Sequence, residues 1–174
     1  MVIGIDVELK GSRSLRRLLK SIEDRGGDLS PAFKGPINKS VTLLLRRQFA
    51  SKGAISGPAW AALRPATKEA RQRRGGNRGG IDHPLWDTGR LKASLEKVGP
   101  DSFLKITPDS YERGSTLFYA ALHQEGFTVK QWGGRRFSHA RRVPARKPVP
   151  DPVPKAVLRT WEKIIASYLE KGKS

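Results

Sequence analysis

Residues 87–126 read DTGRLKASLEKVGPDSFLKITPDSYERGSTLFYAALHQEG, and they carry most of the information on fold class. Leu91 and Leu95 lie four residues apart after an Asp-Thr-Gly segment, which is the spacing of neighbours on one side of a helix. Asp87 or Thr88 can cap that helix. The stretch therefore opens with a short capped helix.

Short strands are predicted to follow this helix. Breakers at residues 99–101 and 108–110 divide residues 96–116 into three runs of strand length, which predicts an antiparallel meander. Residues 118–125 then predict a short helix that Gly126 ends as a C-cap. One side of that helix carries Phe118, Ala121, Leu122 and Glu125. Strands clustered between helices indicate the α+β class, a small antiparallel sheet packed with amphipathic helices.

The amino-terminal part of the chain predicts one strand and two amphipathic helices. Apolar and polar residues alternate over residues 3–9, as in a strand with one buried face. Leucines and an isoleucine at helical spacing predict a helix over residues 15–22, which Gly26 and Gly27 end. The same spacing over residues 30–50 predicts a longer helix.

Two basic segments and a proline-rich segment complete the chain. Residues 71–80, with four arginines and four glycines, predict a mobile loop after a short basic helix capped by Thr67. Residues 128–142 predict a hairpin or an arm, and the prolines that follow stiffen the chain through residue 154 into an extended connector. An amphipathic helix over residues 155–171 is predicted to dock on the body. We expect the loop and the arm to become ordered only in an assembly.

Length and composition indicate one domain spanning residues 1–174. A hydrophobic fraction of 37% is enough for one modest core. No apolar run approaches the roughly 20 residues that cross a bilayer, and the amino terminus lacks the pattern of a signal peptide, so we expect the protein to stay in the cytoplasm where it is made, without a membrane partner. The absence of cysteine excludes disulfides, thiolate metal sites and cysteine nucleophiles.

The charge is the strongest compositional signal, because 34 lysines and arginines face only 16 acidic residues, for a formal net charge of +18. Such a surface repels itself, and nucleic acid, an anionic membrane or an acidic protein could relieve the repulsion. Cations mixed with aromatic rings are typical both of single-strand binders and of intersubunit arms. The candidate interface or DNA-facing residues are Arg71, Arg73, Arg74, Arg78, Trp132, Arg135, Arg136, Arg141 and Arg142.

No complete catalytic constellation is present in the sequence. Asp87-Thr88-Gly89 matches the tripeptide of aspartic proteases, but it leads into a helix, and capping explains it. The H-x-E pattern of His123 and Glu125 lacks the cysteines of a zinc deaminase. Asp6, Asp82 and Asp87 do not have the spacing of a Mg²⁺ site. We therefore predict no catalytic, cofactor-binding or metal-binding residue.

Two segments in order give the sequence a family resemblance. Residues 84–94 contain a TG-x-L-x-x-S pattern, and residues 118–126 contain YA-x-x-H-Q-x-G. With an earlier Trp-x-x-Leu and a threonine before a basic stretch, this order resembles the virion morphogenesis, or tail-completion, family of long-tailed phages. A proline-rich segment replaces the Arg-x-Phe-Leu-Gly-like turn that often precedes the last helix in that family. The matching positions are Trp60, Leu63, Thr67, Thr88, Gly89, Leu91, Tyr119, His123 and Gly126.

The resemblance implies a structural virion protein at the head-tail joint, as a tail-completion protein, tail terminator or neck ring, without catalysis. It also implies a homo-oligomeric ring as the working form, six-fold for a tail tube or twelve-fold for a portal. Neighbouring neck and tail proteins, and DNA in the channel, would then be its partners. A stand-alone basic nucleic-acid-binding protein remains the alternative, which only the charge supports.

Overall fold

The computed structural model describes residues 13–75, 80–132 and 135–172. The strand predicted over residues 3–9 lies outside this part of the chain. Among the described helices, none is long and apolar enough to span a membrane. The elements in chain order are α1 (Arg13–Gly26), α2 (Ser30–Ala32), a π-helical segment (Phe33–Ile37), α3 (Asn38–Ala50), α4 (Pro65–Arg74), α5 (Arg90–Glu96), β1 (Ser102–Ile106), β2 (Tyr111–Ser115), α6 (Phe118–Glu125), β3 (Phe127–Trp132), β4 (Arg135–Val143) and α7 (Lys155–Lys171).

A π-helical segment interrupts the helix predicted over residues 30–50. Pro36 lies inside this segment, and the backbone N–H of Asn38 donates to the carbonyl of Phe33, five residues earlier. Proline has no N–H, and its ring crowds the carbonyl four residues before it, so the chain widens by one residue at this point. The prediction of one uniform helix was therefore wrong, although the whole stretch is helical.

The hydrophobic core lies where α3 and α5 meet the loops around Trp60 and Leu85. Leu91 and Leu95 of α5 are 5% and 2% exposed, and Phe49 of α3 is fully buried. The buried core cluster consists of Leu45, Phe49, Trp60, Leu85, Leu91, Leu95 and Leu117, with Val41, Tyr119 and Ala120 packed against it. The helical spacing of the two α5 leucines therefore points them into the core.

Two antiparallel two-stranded sheets confirm the α+β class. In the first, β1 pairs with β2 from Ser102 opposite Ser115 to Ile106 opposite Tyr111. Of the three strands predicted over residues 96–116, the first is wrong. Glu96 is the buried end of α5, and the backbone N–H of Ser102 donates to the carbonyl of Gly99, so a turn uses the residues left between helix and strand.

The second sheet is the hairpin of β3 and β4, in agreement with the hairpin or arm predicted over residues 128–142. Its register runs from Phe127 opposite Val143 to Trp132 opposite Arg135, with an irregularity between Val129 and Gln131. Within the described chain, the hairpin strands have few contacts with the other helices and strands. The hairpin is thus an arm attached at its base.

Helix α7 packs along α1, α2 and the π-helical segment, as the prediction of a docked carboxy-terminal helix required. The indole Nε1 of Trp161 donates to Ser40 Oγ at 2.9 Å. The hydroxyl of Tyr168 donates to the carbonyl of Asp28 at 3.1 Å. Since the later residue of α7 contacts the earlier partner, α7 runs antiparallel to the helices of residues 30–50.

The starts of α4 and α5 differ from the predicted caps. The N-cap of α4 is Arg64, and Pro65 opens the helix, so Thr67 lies inside it and is not its cap. The N-cap of α5 is Gly89, whose φ of 84° favours glycine. The hydroxyl of Thr88 still accepts from the backbone N–H of Arg90, at 3.4 Å. A proline at the first helical position and a left-handed glycine therefore set these two starts.

Candidate functional site

Helix α5 is tied to the β1–β2 hairpin by polar contacts around the Asp-Thr-Gly segment. The guanidinium of Arg90 binds both carboxylate oxygens of Asp101, each at 2.6 Å, and lowers the pKa of that carboxyl. The hydroxyl of Ser94 lies 2.8 Å from that of Ser115 on β2. The second contact gives the serine of the TG-x-L-x-x-S pattern a hydrogen-bond partner on β2.

A buried arginine joins α4 to the loop that precedes α5. Arg71 is 5% exposed, and its guanidinium donates to the carbonyls of His83 at 2.7 Å and Pro84 at 3.3 Å. Burial lowers its pKa, and Asp87, whose carboxylate lies 3.7 Å from Nε, partly offsets this. Arg71 therefore lacks the exposure expected of a mobile loop or a DNA-facing residue. It belongs to the fold, because its donors satisfy backbone carbonyls that burial would otherwise leave unpaired.

Of the three candidate arginines that follow Arg71, two lie at the end of α4 and one lies outside the described chain. Arg73 and Arg74 form the exposed end of α4, and Arg74 donates to Asp87 at 2.8 Å. The loop predicted over residues 71–80 was therefore wrong for its first four residues, which continue the helix. Arg78 lies outside the described residues.

An aromatic series runs through the core beside this arginine. Trp60 packs edge-on against Phe49 at 5.4 Å between ring centroids, and His83 packs against both Trp60 and Trp86. The Nε2 of His83 lies 2.8 Å from the carbonyl of Phe49, so Nε2 carries the proton and donates. Burial lowers the pKa of His83, which keeps the ring neutral.

The inner face of α6, formed by Tyr119, Ala120, His123 and Gln124, is fixed to residues 144–150, which we call the strap. Gln124 pairs with the backbone of Val149, donating to its carbonyl at 3.1 Å and accepting from its N–H at 3.2 Å. The carbonyl of His123 accepts from the N–H of Arg146 at 2.8 Å. A Cβ on Gly126, where φ is +79°, would lie 2.8 Å from the nitrogen of Ala145. The H-Q-x-G part of the motif is therefore a clamp on the strap.

The strap in turn fastens α6 to the core. Arg146 is buried, and its guanidinium donates to the carbonyls of Ala61 at 2.9 Å and Ala62 at 3.3 Å. The carbonyl of Lys147 accepts from Gln48 Nε2 at 3.0 Å and from Trp60 Nε1 at 3.2 Å. The proline-rich segment predicted as an extended connector is thus bonded into the body, because its free carbonyls satisfy buried donors.

The outer face of α6, formed by Phe118, Ala121, Leu122 and Glu125, has a different environment. All four residues are exposed, with Phe118 at 79% and Leu122 at 37%. At the end of this face, a shallow depression is lined by Glu125, Gly126, Phe127, Thr128, Arg142 and Ala145. The four residues predicted to share one side of this helix therefore do so, and that side is exposed to solvent.

The described side chains form no acid-base pair or metal site of the kinds considered above. Asp87 is paired with arginines, and Asp82 with Lys68. His123 is turned inward, where burial first and Arg146 second lower its pKa, whereas Glu125 is exposed on the opposite face. Among the described histidines and acidic residues, no group of three could hold a metal ion.

The nine motif positions differ in burial, and of the two in the Asp-Thr-Gly segment Thr88 is exposed and Gly89 is half-buried. Trp60 and Leu91 are buried, Leu63, Tyr119 and His123 are half-buried, and Gly126 meets the strap, whereas Thr67 is exposed on α4. Of the candidate arm residues, Arg141 and Arg142 are exposed, and the side chains of Trp132, Arg135 and Arg136 lie outside the described part of the structure.

Two residues with structural roles were missed in the sequence, Gln124 and Arg146. Gln124 lies within the YA-x-x-H-Q-x-G motif, but its partner, the backbone of Val149, is 25 residues away in the chain. Arg146 lies between Ala145 and Lys147 in the proline-rich segment, and its carbonyl partners are some 85 residues away, so no local pattern signals them.

Comparison with known proteins supports the same assignment. The sequence profile of the phage virion morphogenesis family matches residues 12–153. Comparisons with curated proteins and with solved structures gave no match. The matched region contains the α5 segment, the α6 clamp and the strap, which hydrogen bonds join to the rest of the fold. The chain therefore belongs to the phage virion morphogenesis family and has a role in phage virion assembly.

Proposed function

We propose that this protein acts at the head-tail joint of a long-tailed phage, where copies of it form a ring that completes the tail and permits its attachment to a DNA-filled head. The observation that carries the proposal is the β3–β4 hairpin, a strand pair with few contacts to the other described helices and strands of its own chain. An isolated strand pair is marginally stable, so it gains most from a neighbouring subunit or neck protein. Family membership and the clamp that fixes its base support this role.

The exposed cations suit a channel through which DNA passes. Arg73 on α4 and Arg141 and Arg142 on β4 are exposed, and so is Arg74, which also pairs with Asp87. Arg71 and Arg146 are buried, and their guanidinium groups donate to backbone carbonyls. Phosphates would neutralise part of the charge of +18 without base-specific contacts. We propose six-fold symmetry for a station on the tail and twelve-fold for one on the portal, and no catalysis.

A complementation experiment tests the proposal. A phage whose copy of this gene carries a nonsense mutation should produce DNA-filled heads and separate tails, and the wild-type chain supplied in trans should restore joined particles. A hairpin variant, Lys130→Glu with Arg142→Glu, should fail to restore them. The control, Arg17→Glu with Lys20→Glu on α1, changes the net charge equally and should restore them.

Two results would overturn the proposal. Joined, infectious particles in the absence of the chain would remove it from the joint. Restored infectivity with the chain missing from purified particles would instead favour the stand-alone nucleic-acid-binding protein, for which the net charge is the only support.

A further inference from the structure

The outer face of α6 is an apolar surface on a fixed helix. Phe118 is 79% exposed although its neighbour Tyr119 packs against the core. The clamp between Gln124 and Val149 holds the helix in place, so the exposure of Phe118 and Leu122 is not that of a frayed end. Large side chains kept in water on a fixed element are typical of a binding surface.

The charge around this face differs from that of the whole chain. No lysine or arginine occurs between Arg113 and Lys130, in a protein with 34 of them. Glu125 lies within that interval at the end of the outer face, and within the described chain no ion pair engages its carboxylate. The four outer-face residues carry one charge, that of Glu125, and Arg142 lines the depression beside it. A face whose own charge is negative is poorly suited to phosphates, and it suits an apolar surface edged with cations.

The same chain carries a surface of that description. Leu43 on α3 is 47% exposed and Leu158 on α7 is 40% exposed. Leu158 lies one turn before Trp161, and Leu43 lies one turn after Ser40, so the antiparallel contact of Trp161 with Ser40 brings the two leucines to neighbouring turns. The exposed cations within four residues of Leu43 or Leu158 are Lys39, Arg46, Arg47, Lys155 and Arg159, and one exposed acid, Glu162, lies one turn after Leu158.

We propose that the outer face of α6 binds the Leu43–Leu158 surface of a second copy of this chain. The apolar side chains would meet at the centre, and Glu125 would face the cations of the partner. Because two different surfaces meet, each copy keeps one of each kind free, and the contact repeats around a ring. The inference rests on the proposed ring and identifies the contact between its subunits.

Crosslinking tests this contact directly, since the natural chain has no cysteine. Phe118→Cys and Leu158→Cys chains, each purified at full length, are mixed and treated with a short bis-maleimide. The expected product is a heterodimer, in roughly tenfold higher yield than from the control mixture of Val98→Cys with Leu158→Cys, because a bound pair holds its thiols at a high effective concentration. Val98 is 70% exposed, so its thiol is equally accessible.

Other crosslinking patterns would overturn the inference. Phe118→Cys chains that crosslink mainly with one another would show a symmetric contact through α6. Equal yields from the Phe118 and Val98 mixtures would show that α6 does not face the Leu43–Leu158 surface. A chain carrying both Phe118→Cys and Leu158→Cys should give a ladder of multimers, and a product that stops at the dimer would contradict a repeating contact.

A second experiment separates this inference from the proposed function. Phe118→Asp should raise the dissociation constant of assembly, measured by light scattering over a concentration series, at least about tenfold, which corresponds to roughly 1.4 kcal/mol of lost contact. Val98→Asp should not raise it, and both variants should keep the wild-type melting temperature. If Phe118→Asp assembles normally and still joins heads to tails, this contact is wrong and the station at the joint stands. If it fails to assemble but particles join without the chain, the contact stands and the proposed station is wrong.

Discussion

The two faces of the eight-residue helix α6 have different environments, since one contacts the strap and the core and the other is exposed to solvent. The inner face hydrogen-bonds to the strap through Gln124 and packs against the core through Tyr119. The outer face leaves Phe118 and Leu122 in water. Both faces are rich in carbon, but the inner one contacts the core and the strap, whereas the ring of Phe118 on the outer face meets its neighbour Tyr119 edge-on. One helix can therefore stabilise the fold and still present a surface for assembly, which predicts that substitutions on the two faces have separable effects.

The largest expected effect lies in the core beneath the inner face. Leu91→Ala should lower the free energy of unfolding by about 2 to 5 kcal/mol, the range for emptying a buried leucine site. Leu91 is 5% exposed and belongs to the cluster against which Tyr119 packs. Urea unfolding measures the change, and Val98→Ala, at an exposed position, should stay within about 0.5 kcal/mol of wild type. Equal losses from the two variants would mean that the core is misplaced.

The next effect concerns the close approach of the strap. Gly126→Ala should cost about 1 to 3 kcal/mol, because a non-glycine residue is strained at positive φ, and its Cβ would meet the backbone of Ala145. Gly57→Ala is the matched control, since nothing lies within 4 Å of a Cβ there. Thermal unfolding compares the two, and a Gly126→Ala protein as stable as the control would contradict the clamp.

A smaller effect is expected from the clamp glutamine. Gln124→Ala removes two hydrogen bonds to the backbone of Val149 and should cost about 1 kcal/mol, since water can replace bonds near the surface. Its sequence neighbour on the outer face provides the control, because Glu125→Ala removes no described contact. If Glu125→Ala cost as much as Gln124→Ala in urea unfolding, the two faces would not differ as described.

The smallest expected effect is a dependence of stability on pH. Burial lowers the pKa of His83 and His123 below the unfolded value near 6.5, so the unfolded chain binds protons first as the pH falls. Stability from these residues is complete above about pH 6.5 and declines below it, toward their folded pKa values. The urea concentration at the unfolding midpoint should therefore decrease when the pH is lowered from 7.5 to 5.5, and the decrease should be smaller in His123→Gln. An unchanged midpoint in wild type would show that neither histidine is held neutral.

The sequence predicted the elements whose periodicity matches their burial. The leucine spacing of α5, the glycine that ends α6 and the amphipathic α7 all have local causes, so a short window of sequence was sufficient. Local sequence gave wrong predictions at Pro36, where the helix was expected to be uniform, and at Thr67, which was expected to be a cap. In both places a proline determines the backbone geometry. The strand predicted to begin at residue 96 is absent from the described structure, because α5 extends to Glu96 and a turn occupies the residues that follow it.

The candidate site was less predictable, because its contacts span long separations in the chain. Arg146 bonds to the carbonyls of Ala61 and Ala62, and no local pattern signals a partner so distant. Arg71 and Arg74 look alike in sequence, yet one is buried against carbonyls and the other is exposed. Composition gives the number of charged residues but does not indicate which of them are buried or hydrogen-bonded within the fold.

Hydrogen exchange of the unmodified protein, compared between its assembled and diluted forms, tests the division of α6 most directly. Peptides over residues 118–125, and over the helices that carry Leu43 and Leu158, should gain protection on assembly. Peptides over the strap, whose hydrogen bonds lie within one chain, should be equally protected in both forms. Protection gained at the strap and not at α6 would contradict the account, because it would make the clamp a product of assembly and leave the outer face without a partner.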